Sequence, residues 1–103
     1  MNIIIKGTNL NLGEDMKKFI KEKILSVEKF YPNIIEARIE IEYDEHKRKG
    51  HNYRCEANLS IPGKLIRVEK TTPSLTKSVN KVKDHLKLVL TKEKTKELTK
   101  RKD

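Results

Sequence analysis

A chain of 103 residues in which 38% of side chains are charged and 35% hydrophobic supports one modest core and no second large domain. Its formal net charge of +9 and pI near 9.7 point away from acidic small substrates and toward a polyanion, nucleic acid before an anionic membrane. A single cysteine excludes an internal disulfide framework and a multi-cysteine zinc site.

The apolar residues fall in ordered patterns. Residues 2–8 read as a short strand, with Ile3 and Ile5 on one face, Ile4 on the other, and Gly7 near its end. Residues 9–13 form a turn into Glu14 and Asp15, two acids suited to the positive end of a helix dipole. The helix that follows carries Met16, Phe19, Ile20, Ile24, Val27 and Tyr31 on one stripe and is expected to run to Pro32-Asn33. Next, Ile35, Ala37, Ile39, Ile41 and Tyr43 alternate with Glu36, Arg38, Glu40 and Glu42, which predicts a half-buried strand.

A polar loop over residues 44–52 leads to a second alternation, Tyr53, Cys55, Ala57, Leu59 and Ile61 against Arg54, Glu56, Asn58 and Ser60. Pro62-Gly63 supplies the residues of a type II turn. Residues 64–71 then form a third antiparallel strand with Ile66 and Val68 inward, and Ser74 is the expected N-cap of a final helix. On that helix Leu75, Val79, Val82, Leu86 and Leu90 recur at spacings of four, three, four and four, one apolar face surrounded by lysines. Beyond Leu90 the period fades to Leu98 alone, so residues 96–103 are expected to be a basic extension of a domain spanning residues 1–95.

The order β-α-β-β-β-α, with one-faced helices and one-faced strands, predicts an α+β two-layer sandwich: a four-stranded sheet with both helices packed on one face. No stretch approaches the roughly 20 apolar residues that span a bilayer, and the N-terminus lacks a signal-peptide pattern. A cytoplasmic protein is expected.

Chemistry finds little footing. His46 and His51 flank a basic loop tip at a spacing poor for a metal, and His85 lies at the edge of an apolar stripe. Cys55 faces inward without an activating neighbour. The carboxylates Glu36, Glu40 and Glu42 share a strand face with Arg38 and Arg54, which suits cross-strand pairing better than an acid–base dyad. No phosphate loop or nucleophile elbow occurs, so neither an enzyme nor a cofactor is expected.

The outward sheet face, with Glu36, Glu40, Glu42 and Glu56, would repel phosphate, so positive charge must reside on the helices. Helix one presents Lys18, Lys21 and Lys29 away from its stripe; helix two presents Lys77, Lys81, Lys87, Lys92 and Lys94 on its back and flanks. Adjacent helices would pool these into one ridge whose ammonium groups read phosphate without reading sequence. Neutralising six to ten phosphates would cost roughly 10³ to 10⁵ in affinity between 50 and 200 mM salt. A lysine excess of genomic origin on a merely solvated face is the plain alternative.

Particular residues carry a resemblance. Ile3-Ile4-Ile5-Lys6-Gly7-Thr8-Asn9, then Met16-Lys17-Lys18-Phe19-Ile20, Lys23 and Val27-Glu28-Lys29-Phe30-Tyr31, then Asp84, Leu86, Leu90, Lys92 and Lys94, together resemble the short ribosome hibernation promoting factors, also called ribosome-associated inhibitors. The likeness covers residues 2–95, with departures at His85, Leu88 and Val89, where many relatives have basic or polar residues. It implies a protein, monomeric off the ribosome, that binds the small ribosomal subunit and its rRNA between head and body. There it would overlap the places of messenger and transfer RNA and hold idle ribosomes inactive without catalysis. Residue by residue it marks Lys23, Lys29, Lys92 and Lys94. A free double-stranded RNA-binding domain and a purely structural or protein-interaction domain are the competing readings.

Overall fold

The computed structural model describes residues 1–47 and 50–102, with side chains through residue 99. Arg48 and Lys49 of the basic loop tip, the side chains of Lys100, Arg101 and Lys102, and Asp103 lie outside the described residues.

The elements follow the expected order: β1 (Asn2–Thr8), α1 (Glu14–Leu25) continued by a 3₁₀ turn (Ser26–Phe30), β2 (Glu36–Tyr43), β3 (Tyr53–Ile61), β4 (Lys64–Thr72) and α2 (Leu75–Lys102). The strands lie in the order β1-β2-β3-β4, parallel between β1 and β2 and antiparallel thereafter. A parallel pair needs a crossover, and α1 provides it. Both helices cover one sheet face, and a single core lies between the layers. Ala37, Ile39, Ile41, Cys55, Ala57, Leu59, Ile66 and Val68 face Ile20, Ile24, Val27, Val79, Val82, Leu86 and Leu90 across it. The α+β sandwich read from the alternations is the fold.

Local chemistry accounts for the ends of elements. Gly63 has φ +76°, as the turn between β3 and β4 requires. The Lys77 amide donates to Ser74 Oγ at 3.4 Å, so Ser74 caps α2. Beneath that cap the buried hydroxyls of Thr72 and Ser78 lie 2.7 Å apart, and Ser78 donates to the Tyr53 carbonyl at 2.7 Å, fastening the helix start to the sheet.

Two expectations are corrected. The first helix does not run regularly to Pro32-Asn33. It tightens at Ser26, whose hydroxyl donates to the Lys23 carbonyl at 2.6 Å, and Tyr31 is already extended (φ −157°). Ile35 does not face the core. It is 59% exposed, whereas Ile34 is 4% exposed and fills the place. The chain enters strand geometry only at Glu36, so period two cannot be carried back across the preceding bend. The final helix, α2, runs past residue 95 and remains helical to Lys102. No described helix is long and apolar enough to cross a membrane.

Candidate nucleic-acid interface

Charge is divided between the two layers. On the open sheet face Arg54 binds Glu40 and donates from Nε to Glu42 at 2.8 Å, with Glu56 at 3.6 Å and Glu69 at 4.0 Å. Arg67 donates from Nε to Glu56 at 2.7 Å and lies 3.1 Å from Glu69, and Arg38 reaches Glu36 at 2.9 Å. The Arg54 hydrogen bond, then that from Thr8, holds the Glu40 carboxyl below the usual carboxylate range. Burial pushes Glu56 upward, but its bonds from Arg67 and Asn58 outweigh it and the net direction is down. The pairing read from β2 and β3 is therefore present, and Arg67 and Glu69 from β4 extend it.

The helical layer is the opposite case. Among the described residues, none of Lys18, Lys21, Lys23, Lys29, Lys77, Lys81, Lys87, Lys92 and Lys94 forms an ion pair. The helix lysines that do pair are others: Lys17 with Glu14 at 3.9 Å, Lys83 with Asp84 at 3.4 Å, and Lys96 with Glu93 at 3.6 Å. Glu93 also accepts from Lys64 at 2.5 Å, a bond that holds its carboxyl low. The ridge lysines thus stand without a direct ion-pair partner among the described residues.

Three of these nine side chains line one cleft, Lys94 lies beside Tyr31, and the other five stand on exposed helix faces. A cleft of about 350 Å³ opens between the end of α1 with its 3₁₀ turn and the middle of α2. Lys23, Lys29 and Lys87 line it, together with Lys83, Ser26, Val27 and Phe30, and Glu22 and Asp84 also border it. The Lys29 and Lys87 ammonium groups lie 5.3 and 5.2 Å from the Phe30 ring centroid, and Lys23 lies 5.5 Å from that of Phe19. Lys94 follows the buried Leu90 by about one helical turn on α2, and its ammonium sits 6.0 Å from the Tyr31 centroid.

The remaining lysines stand apart from the cleft. Lys18 and Lys21 are exposed on α1, and Lys77, Lys81 and Lys92 are exposed along α2, with Leu88 among them 62% exposed. Lys83, Ser26 and Phe30 were not singled out from the sequence as site residues. Lys83 meets Ser26 and Phe30 only through the packing of α2 on the 3₁₀ turn.

Residues 3–97 match the family described as Sigma 54 modulation protein / S30EA ribosomal protein. The chain belongs to that family. Within the S30EA family, the ribosome hibernation promotion factor of Deinococcus radiodurans is 25% identical over 99 residues, covering 96% of this chain. The chain spans about half the length of that relative, 52%. Two solved structures share the fold. The Thermus thermophilus Protein Y N-terminal domain has a TM-score of 0.78 at 22% identity, covering 89% of this chain and 98% of its own. A ribosomal subunit interface protein from Coxiella burnetii has a TM-score of 0.82 at 18% identity, covering 92% and 99%.

Proposed function

We propose that this chain is a ribosome hibernation factor that acts in resting or stressed cells in the cytoplasm. It binds the small ribosomal subunit at the decoding channel, where messenger and transfer RNA would lie, and so blocks translation sterically and electrostatically, without catalysis or a cofactor. Residues 1–95 carry the binding domain and residues 96–103 a basic extension, and the protein is a monomer off the ribosome. The observation that carries the reading is the division of charge. The sheet arginines are spent on carboxylates, while nine helix lysines are left for an external polyanion. Membership of the S30EA family and the name of the Deinococcus relative indicate which polyanion.

The test is co-sedimentation with purified small subunits across a salt series, with and without messenger and transfer RNA in the decoding sites. Binding that falls steeply with salt and is lost when those sites are filled is the expected result. Failure to co-sediment at low salt, or indifference to filled decoding sites, overturns the reading. Equal affinity for naked duplex RNA would turn it toward a free double-stranded RNA binder.

A further inference from the structure

The cleft between the 3₁₀ turn and α2 has a composition that a plain phosphate-binding surface does not need. One wall is an aromatic ring, Phe30, half-buried against the core. Around the ring stand ammonium groups from two different elements, Lys29 at 5.3 Å and Lys87 at 5.2 Å from its centroid. Lys23 and Lys83 border the same space, as do Glu22 and Asp84. Asp84 is paired with Lys83 at 3.4 Å, whereas Lys29 and Lys87 form no ion pair among the described residues. Its volume of about 350 Å³ falls in the range of small-ligand sites.

We infer that this cleft seats a single unpaired nucleotide of the bound RNA, its base against Phe30 and its phosphate between Lys29 and Lys87. The inference rests on the function proposed above and deepens it. The chemistry matches part by part. An aromatic face stacks any base regardless of sequence, and flanking lysines take the phosphate as point charges. A duplex does not fit, because its base faces are covered by their neighbours and only a splayed-out nucleotide presents one. The exposed ammonium–ring contacts are weak and are readily exchanged for a phosphate oxygen. An apolar protein side chain would bring no compensating charge for these lysines, whereas a nucleotide supplies the flat apolar body and the anion together.

Two measurements test this. In the first, small-subunit affinity is followed across a salt series for Phe30→Leu, Phe30→Tyr, Lys29→Ala and Lys87→Ala, each checked for native thermal unfolding. Phe30→Leu keeps the apolar bulk and loses the aromatic face, and should weaken binding roughly ten-fold with the salt slope unchanged. Phe30→Tyr should restore affinity, and each lysine substitution should reduce the salt slope by about one. Wild-type affinity in Phe30→Leu, with reduced slopes in the lysine variants, would overturn the nucleotide seat and leave a phosphate contact only. Wild-type binding in all four variants would overturn the seat while leaving ribosome binding intact.

The second measurement does not depend on the ribosome. Adenosine monophosphate and inorganic phosphate are titrated separately into the isotope-labelled chain. Ring-current shifts at Phe30 with the nucleotide and none with phosphate are expected. Identical responses to both would overturn the seat, and this result stands even if the protein fails to co-sediment with small subunits.

Discussion

The Tyr31 hydroxyl donates to the Glu97 carboxylate across 66 positions of sequence. The bond ties the end of the 3₁₀ turn to a part of α2 that lies beyond its continuous apolar stripe. Tyr31 is 1% exposed, so Tyr31→Phe keeps the buried ring and removes only the hydroxyl. The substitution should cost about 1–2 kcal/mol and speed amide exchange selectively over the last turns of α2. Denaturant melts and hydrogen exchange read both, and unchanged exchange in that segment would show that the bond does not hold the helix end.

The same bond predicts an alkaline limit. The hydrogen bond to Glu97, then burial, then the negative charges of Glu97 and Glu93, push the Tyr31 hydroxyl up from 10.0 to about 12. Because the folded value is the higher one, its stabilising contribution is complete below about pH 10 and is lost as pH rises through about 12. The stability difference between wild type and Tyr31→Phe should therefore shrink over that interval.

Arg54 is the centre of the sheet-face network, and Arg54→Met leaves Glu40, Glu42 and Glu56 facing one another. Arg54 is 17% exposed and Glu40 29%, so solvent screens part of the loss, and about 1–3 kcal/mol at neutral pH is expected. Glu40 is held low in the folded state, so its contribution is present above the ordinary value of 4.5 and fades as pH falls through the folded value. Denaturant melts from neutral to acid pH should show the penalty of Arg54→Met diminishing. A constant penalty would assign it to lost packing.

Gly7 and Gly63 should respond to alanine for different reasons. A Cβ at Gly7 would stand 2.8 Å from the Leu10 carbonyl oxygen and 3.2 Å from Leu12 Cγ, so the loop after β1 must move, at about 1–3 kcal/mol. A Cβ at Gly63 meets nothing within 4 Å, and the cost of about 1–2 kcal/mol comes from its positive φ alone. Thermal melts of both variants check the magnitudes. Replacing Gly63 by Asn, which tolerates that backbone region, should recover part of the loss, and no such rescue is expected at Gly7.

Cys55 should be silent toward thiol reagents. It is fully buried, and burial pushes its thiol up to about 12, with Arg54 lowering and Glu56 raising it by smaller amounts. Labelling by a disulfide reagent should follow the rate of opening rather than the reagent concentration once the reagent is in excess. Rapid labelling under native conditions would contradict the burial.

What the sequence made legible were the features with a short period. β3 was readable to the residue because Tyr53 to Ile61 alternate without interruption, and the core face of α2 followed from Val79, Val82, Leu86 and Leu90. Where the backbone changes state, periodicity fails. The switch from α to 3₁₀ at Ser26 and the bend before Glu36 each displaced an expectation, the helix end in one case and Ile35 in the other. Eight of the nine unpaired lysines could be named from helical spacing, and Lys23 from the family resemblance. Which of them meet could not, since Lys29 and Lys87 become neighbours through the packing of α2 on the 3₁₀ turn. The Tyr31–Glu97 bond was hidden for the same reason: no local rule links residues so far apart.

The unequal distribution of charge has a consequence for how the molecule travels. Even its shortest extent, 18 Å, is more than twice the screening length of about 8 Å at physiological salt. A polyanion therefore senses the nearer layer and scarcely the other. Near such a surface the protein feels a torque as well as a pull, turning its helices forward while an approach by the sheet gains little. Its heading is selected in the solvent, before the first contact is made.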